Sequence, residues 1–108
     1  MSHLSLCHLD EIEEPGSRAF VVGDLSLFVV RMQGQVFLYR NLCPHKGVPL
    51  EWTAHKFLDQ SKTLIECANH GALFLPESGR CVSGPCMGQQ LTAYPFEIHQ
   101  GVITLHNP

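Results

Sequence analysis

Long hydrophobic runs are missing from this chain. No stretch approaches the roughly 18 apolar residues that a membrane-spanning helix requires, so no membrane span is expected. Basic clusters are missing too. Lys and Arg number 7 against 10 Asp and Glu, for a net charge of −3. A nucleic-acid backbone is held by clustered cations, so neither DNA nor RNA is an expected partner. Charged residues make up only 16% and apolar residues 44%, which excludes a disordered acidic segment. Internal repeats, low-complexity tracts and linkers are absent as well. The opening residues Met1–Glu14 have neither a basic stretch nor an apolar core of the kind a secretory leader carries, so a cytoplasmic location is expected. A length of 108 residues suits one domain, 1–108, with one buried core.

Against this sparse background, 5 Cys and 7 His stand out. An odd number of cysteines with no sign of export disfavours a disulfide scaffold and favours a metal site or free thiols. Two of the cysteines precede a histidine by two or three positions. Cys43-Pro44-His45 is C-x-H, and Cys67-Ala68-Asn69-His70 is C-x-x-H. Each pair is followed closely by a glycine, Gly47 or Gly71, as expected of tight loops.

The rest of the chain predicts short strands separated by turns, an all-β fold of about eight to ten strands. Arg18–Val22 and Leu25–Met32 flank Gly23-Asp24, a two-residue hairpin signal. Gln33-Gly34 turns the chain into Val36–Arg40. Lys62–Cys67 reads as a strand entering the second Cys/His loop, and Ala72–Leu75 as one leaving it. Leu91–His99 and Val102–His106 predict a closing hairpin about Gln100-Gly101. Glu51–Ser61 shows no period and reads as irregular.

Alternate residues of an extended loop point the same way, so Cys43 and His45 can converge on one centre. Cys67 and His70 can meet it from a second loop. Two thiolates and two imidazoles suit two centres. One is a tetrahedral zinc, which would make the chain a zinc-stabilised binding module without a redox role. The other is a [2Fe–2S] cluster with both thiolates on one iron and both imidazoles on the other. The single-residue gap in the first pair is shorter than zinc pairs usually show.

CPHKG at Cys43–Gly47 and CANHG at Cys67–Gly71 resemble the two cluster-binding loops of Rieske [2Fe–2S] proteins. GRCVSGP at Gly79–Pro85 resembles the third loop that packs over the cluster in that family. The resemblance implies a Rieske-type antiparallel β-sandwich with cluster loops at about 41–50 and 66–86. It implies one [2Fe–2S] cluster per chain, with Cys43 and Cys67 on the inner iron and His45 and His70 on the outer. The charges of two ferric ions, two sulfides and two thiolates cancel, so the oxidised site is neutral and inexpensive to bury.

Within the family the chain is similar to the soluble ferredoxins of ring-hydroxylating oxygenase systems and to the small subunit of nitrite reductases. That similarity implies a one-electron carrier, not an enzyme by itself. Its partners would be an NAD(P)H-dependent flavin reductase and a terminal oxygenase, or alternatively a nitrite reductase large subunit. A partner is expected at the loop tip, rimmed by Lys46, Val48, Pro49 and Gly84-Pro85. High-potential respiratory relatives carry a disulfide at positions matching Val48 and Asn69, and hydroxyls at positions matching Ala72 and Phe74. Lacking all four groups, this chain is expected near the low end of the Rieske range of roughly −150 to +300 mV. It departs from the family at Leu50–Ser61, which lengthens the gap between the two motifs. It also departs at Ala68 and Asn69, where many relatives have a proline and an aromatic. Cys81 and Cys86 are expected as buried thiols, Cys7 as core, His55 as surface and Trp52 as packing.

Overall fold

The computed structural model describes residues 3–44, 47–51, 53–69 and 71–106. The assignments made to His45 and His70, the packing of Trp52 and the rim position of Lys46 lie outside the described residues. Nine strands are found among those described: β1 His3–His8, β2 Gly16–Val22, β3 Leu25–Met32, β4 Gln35–Arg40, β5 Ile65–Cys67, β6 Ala72–Phe74, β7 Cys81–Ser83, β8 Phe96–His99 and β9 Val102–His106. One 3-10 turn, Leu9–Glu11, follows β1. The strands pair antiparallel in three sheets, ordered β1-β9-β8, β2-β3-β4 and β5-β6-β7. The all-β expectation holds.

The middle sheet organises the rest. Its hairpins close on the residues that the turn chemistry marks. Val22 pairs with Leu25 across Gly23-Asp24, and Met32 with Gln35 across Gln33-Gly34. The run Leu27–Val30 is apolar without alternation, and all four residues are fully buried. Both faces of β3 are therefore covered, as a continuous apolar strand demands. Leu27 and Val29 face a core with Cys7, Ile12, Leu38, Ile103 and Leu105, under the β1-β9-β8 sheet. Phe28 and Val30 face the opposite core, which contains Cys43, Leu50, Phe57, Ile65, Cys67, Phe74, Cys81 and Cys86. That second core is the floor of the cysteine loops.

Three expected strands are shorter than the sequence suggested. The last one begins at Phe96, not Leu91. Pro95 has no N–H for a ladder, and residues before it lie along the edge of β4 instead, with Arg40 N donating to Thr92 O at 2.8 Å and Tyr94 N to Leu38 O at 3.1 Å. The strand expected from Lys62 begins at Ile65. The Asp59 carboxylate accepts from Thr63 N at 3.1 Å and Leu64 N at 3.2 Å, which holds those residues in a turn. The strand expected to reach Leu75 ends at Phe74.

Candidate metal centre

Cys43 follows β4, and Cys67 is the last residue of β5. Both are fully buried. The two loops are built alike. Gly47 N donates to Cys43 O at 2.7 Å, and Gly71 N donates to Cys67 O at 2.8 Å. Each cysteine thus opens a turn closed by a glycine four residues later. Gly47 has φ 70° and Gly71 φ 69°, a left-handed conformation that a side chain would strain. The sequence shows the same Cys-to-Gly spacing in both motifs, although the histidines sit at different offsets.

Several contacts fix one loop to the other. In the first, Cys43 N donates to Val48 O at 2.7 Å. The buried Asn41 closes its base, accepting from Leu50 N at 2.8 Å and donating to Glu51 Oε1 at 2.7 Å. Between the loops, Ala68 N donates to Leu50 O at 2.8 Å. The Asn69 amide donates to Pro49 O at 2.7 Å and to Cys67 Sγ at 3.5 Å. Sequence reasoning missed both asparagines as functional residues. The one signal available was an amide side chain inside CANHG, two residues beyond a candidate ligand.

The third loop packs against the start of β6, just past the second cysteine loop. Gly84 lies on Ala72 so closely that a Cβ there would stand 2.8 Å from Ala72 Cα. Cys81 and Cys86, at either end of that loop, are buried, and the Cys86 thiol donates to Cys81 Sγ at 2.8 Å. No disulfide joins any of the five cysteines. Burial pushes the Cys86 thiol up to about 12, and the hydrogen bond and charge of Cys81 and the charge of Cys43 act the same way. Each of the two thiols already has a partner within the third loop, since the Cys81 thiol donates to Ser83 O at 3.3 Å and the Cys86 thiol to Cys81 Sγ. Cys81→Ser and Cys86→Ser are each expected to leave the visible spectrum of the metal-loaded protein unchanged, measured by absorbance on the purified variants.

Among the described residues no three Cys, His, Asp or Glu side chains converge as a metal site. Cys43 and Cys67 are the two described members of the expected set of four. Their chemistry fits an iron–sulfur group: two soft sulfur donors, both dry, on two rigid and similarly turned loops. Two surface clefts of about 420 and 490 Å³ lie elsewhere, and the lining of neither includes Cys43 or Cys67.

Comparison with protein families decides the matter. The model of the Rieske [2Fe-2S] domain matches residues 2–96. The chain belongs to the Rieske [2Fe-2S] domain family. Family membership implies one [2Fe–2S] cluster per chain. Known structures agree on the fold. The ferredoxin of carbazole 1,9a-dioxygenase from Nocardioides aromaticivorans IC177 is 23% identical, with a TM-score of 0.81 and all of both chains covered. The Sphingomonas yanoikuyae B1 ferredoxin is 27% identical, with a TM-score of 0.79, covering 99% of this chain and all of that one. A complex of reduced oxygenase and oxidized ferredoxin in carbazole 1,9a-dioxygenase supplies a further match, 24% identical with a TM-score of 0.76, covering 95% of this chain and 91% of that one. Comparison of the sequence with curated proteins gives no match. Cys67 ends β5 in the small sheet β5-β6-β7, whereas Cys43 follows β4 of the middle sheet. No helix among the described residues is long and apolar enough to cross a membrane.

Proposed function

We propose that the chain is a Rieske-type ferredoxin, a one-electron carrier that takes its electron from an NAD(P)H-dependent flavin reductase and delivers it to a terminal oxygenase. The observation that carries this reading is the pair of matching glycine-closed loops that hold Cys43 and Cys67 buried and fixed to each other. The likeness to ferredoxins over the whole of their length supports it, as does the ferredoxin found with its oxygenase in the carbazole system. When bound, a [2Fe–2S] group accepts and releases one electron. Cys43 and Cys67 would hold it as thiolates, and His45 and His70 as imidazoles. The protein around them excludes water from the sulfurs and keeps the loops in one geometry, so little rearranges on electron transfer. Residues 1–108 form one domain in this reading, and the chain catalyses nothing alone. A cytoplasmic location belongs to the same reading, since a reducing compartment keeps thiols such as Cys81 and Cys86 reduced.

The test is chemical and then kinetic. The purified protein is expected to be brown, with equal amounts of iron and acid-labile sulfide, and to take up one electron per chain. It should be reduced by a flavin reductase with NAD(P)H and reoxidised by an oxygenase. A colourless protein carrying zinc would overturn the reading in favour of a binding module.

A further inference from the structure

The Asn69 side chain touches both cysteine loops. It projects from the second loop, two residues after Cys67, and its Nδ2 donates to Pro49 O of the first loop at 2.7 Å. The same nitrogen lies 3.5 Å from Cys67 Sγ, within reach of a hydrogen bond to sulfur. The orientation of the amide follows from its neighbours. A proline carbonyl only accepts, and so does a metal-bound thiolate. The NH₂ end carries two protons and the oxygen end none. Only one orientation satisfies both contacts, so the nitrogen faces them whichever way a map alone would place it. The backbone leaves little freedom: Gly71 N closes the turn onto Cys67 O, and Ala68 N is tied to Leu50 O.

We propose that Asn69 is a positioning residue for the metal centre that also raises its potential, by donating one amide proton to the Cys67 sulfur while the other latches the two loops. The proposal rests on Cys67 being a ligand. A hydrogen bond to the sulfur draws electron density from it. The oxidised site is neutral and the reduced site carries one negative charge, so the bond is stronger after reduction. A contact that is stronger in the reduced state favours reduction. The shift is set by the difference between the bond's strength in the two states, and a hydrogen bond to a charged group is stronger than one to a neutral group by about 1 kcal/mol. Removing this donor should therefore lower the reduction equilibrium constant by about five- to tenfold, where tenfold corresponds to about 59 mV for one electron. Ala72 and Phe74 supply no hydroxyl to the site, which leaves the Asn69 amide as a side-chain donor that offsets part of that loss.

The experiment uses the cluster-loaded protein. Asn69→Leu keeps the side chain's size and removes both donors. Asn69→Asp keeps its shape and replaces the donors by acceptors. Iron content and visible spectrum are measured first, then the midpoint by protein-film voltammetry. Asn69→Leu is expected to retain the cluster with its reduction equilibrium about five- to tenfold lower, and Asn69→Asp to fall at least as far. Midpoints within about twofold of the parent in either loaded variant would overturn the proposal, whatever happens to the melting temperature. A test without any variant guards against variants that fail to load. In reduced parent protein labelled with ¹⁵N only at asparagine side chains, pulsed EPR should show coupling of that nitrogen to the unpaired electron, and its absence would overturn the proposal. Failure of the underlying assignment looks different: Cys67→Ser would keep the unaltered parent spectrum, and the inference about Asn69 would fall with it.

Discussion

Cys43→Ala and Cys67→Ala are each expected to yield a colourless protein with almost no iron, while the parent is brown. The argument is one of charge in a dry place. Both sulfurs are fully buried, on loops held by backbone hydrogen bonds at both ends. In the proposed ligand set their two thiolate charges make the oxidised site neutral. Removing one leaves an uncompensated positive charge where water cannot solvate it, which costs several kcal/mol at the least. It would also open a coordination position on the cluster. Cys86 shares the core of Cys43, but its thiol already donates to Cys81 Sγ. His45→Ala and His70→Ala are expected to lose the cluster as well, since in the proposed set each would strip the outer iron of a ligand. Iron analysis and visible absorbance on freshly purified protein check all four. A Cys67→Ala protein that kept the parent spectrum would refute the ligand assignment. Loss of colour in Cys86→Ser, with Cys67→Ala still brown, would move the site to the third loop.

Much of this centre was legible because its chemistry is local. A C-x-H and a C-x-x-H, each closed by a glycine, put four candidate ligands and two turns within two short stretches of chain. The middle sheet was legible for the same reason. Hairpin turns announce themselves in two residues, and a doubly buried strand shows as an unbroken apolar run such as Leu27–Val30. What stayed hidden depends on partners far away in sequence. Cys81 and Cys86 met the expectation of buried thiols, but their mutual contact is created by the bend of the third loop. His55 is exposed, as expected of a surface residue. Its Nδ1 nonetheless accepts from Ala19 N at 3.0 Å, and its carbonyl accepts from Ser17 Oγ at 2.8 Å. Those bonds pin the segment after Leu50 to the edge of β2, and no periodicity in the segment could have announced them. Asn69 stood out only as a departure from the family pattern. Its meaning came from a carbonyl twenty positions earlier in the chain. The expectation of a low potential counted missing hydroxyls, and Asn69 adds a donor to that count without reversing it.

Phe57→Ala is expected to destabilise the protein by about 3–5 kcal/mol, the usual result of emptying a phenylalanine site in a core. Phe57 comes from the segment that the sequence left irregular, yet it is fully buried. Its ring stacks on Phe28 with centroids 4.2 Å apart and planes 5° from parallel. Phe28 in turn lies 5.8 Å from Tyr39. The backbone on either side is fixed, with Phe57 N donating to Ser17 Oγ at 3.1 Å and Phe57 O accepting from Glu66 N at 2.9 Å. A cavity here cannot close easily, so the loss should sit in the upper part of the range. Domains of this size are stable by about 5–15 kcal/mol in total, so the change is a large fraction. Each kcal/mol lowers the melting temperature by about 4 °C or more, which predicts a fall of at least about 12 °C in a melt followed by circular dichroism. Phe57→Leu, which keeps most of the volume, should lose less than half as much. Val21→Ala, on a strand residue that is 74% exposed, should change stability by no more than about 0.5 kcal/mol. Phe57 shares its core with Cys43 and Cys67. The Ala variant should therefore also lose iron to a chelator faster than the parent, at a temperature where both remain folded. An Ala variant as stable as the parent would mean that the segment from Glu51 to Ser61 does not carry the floor of the metal loops.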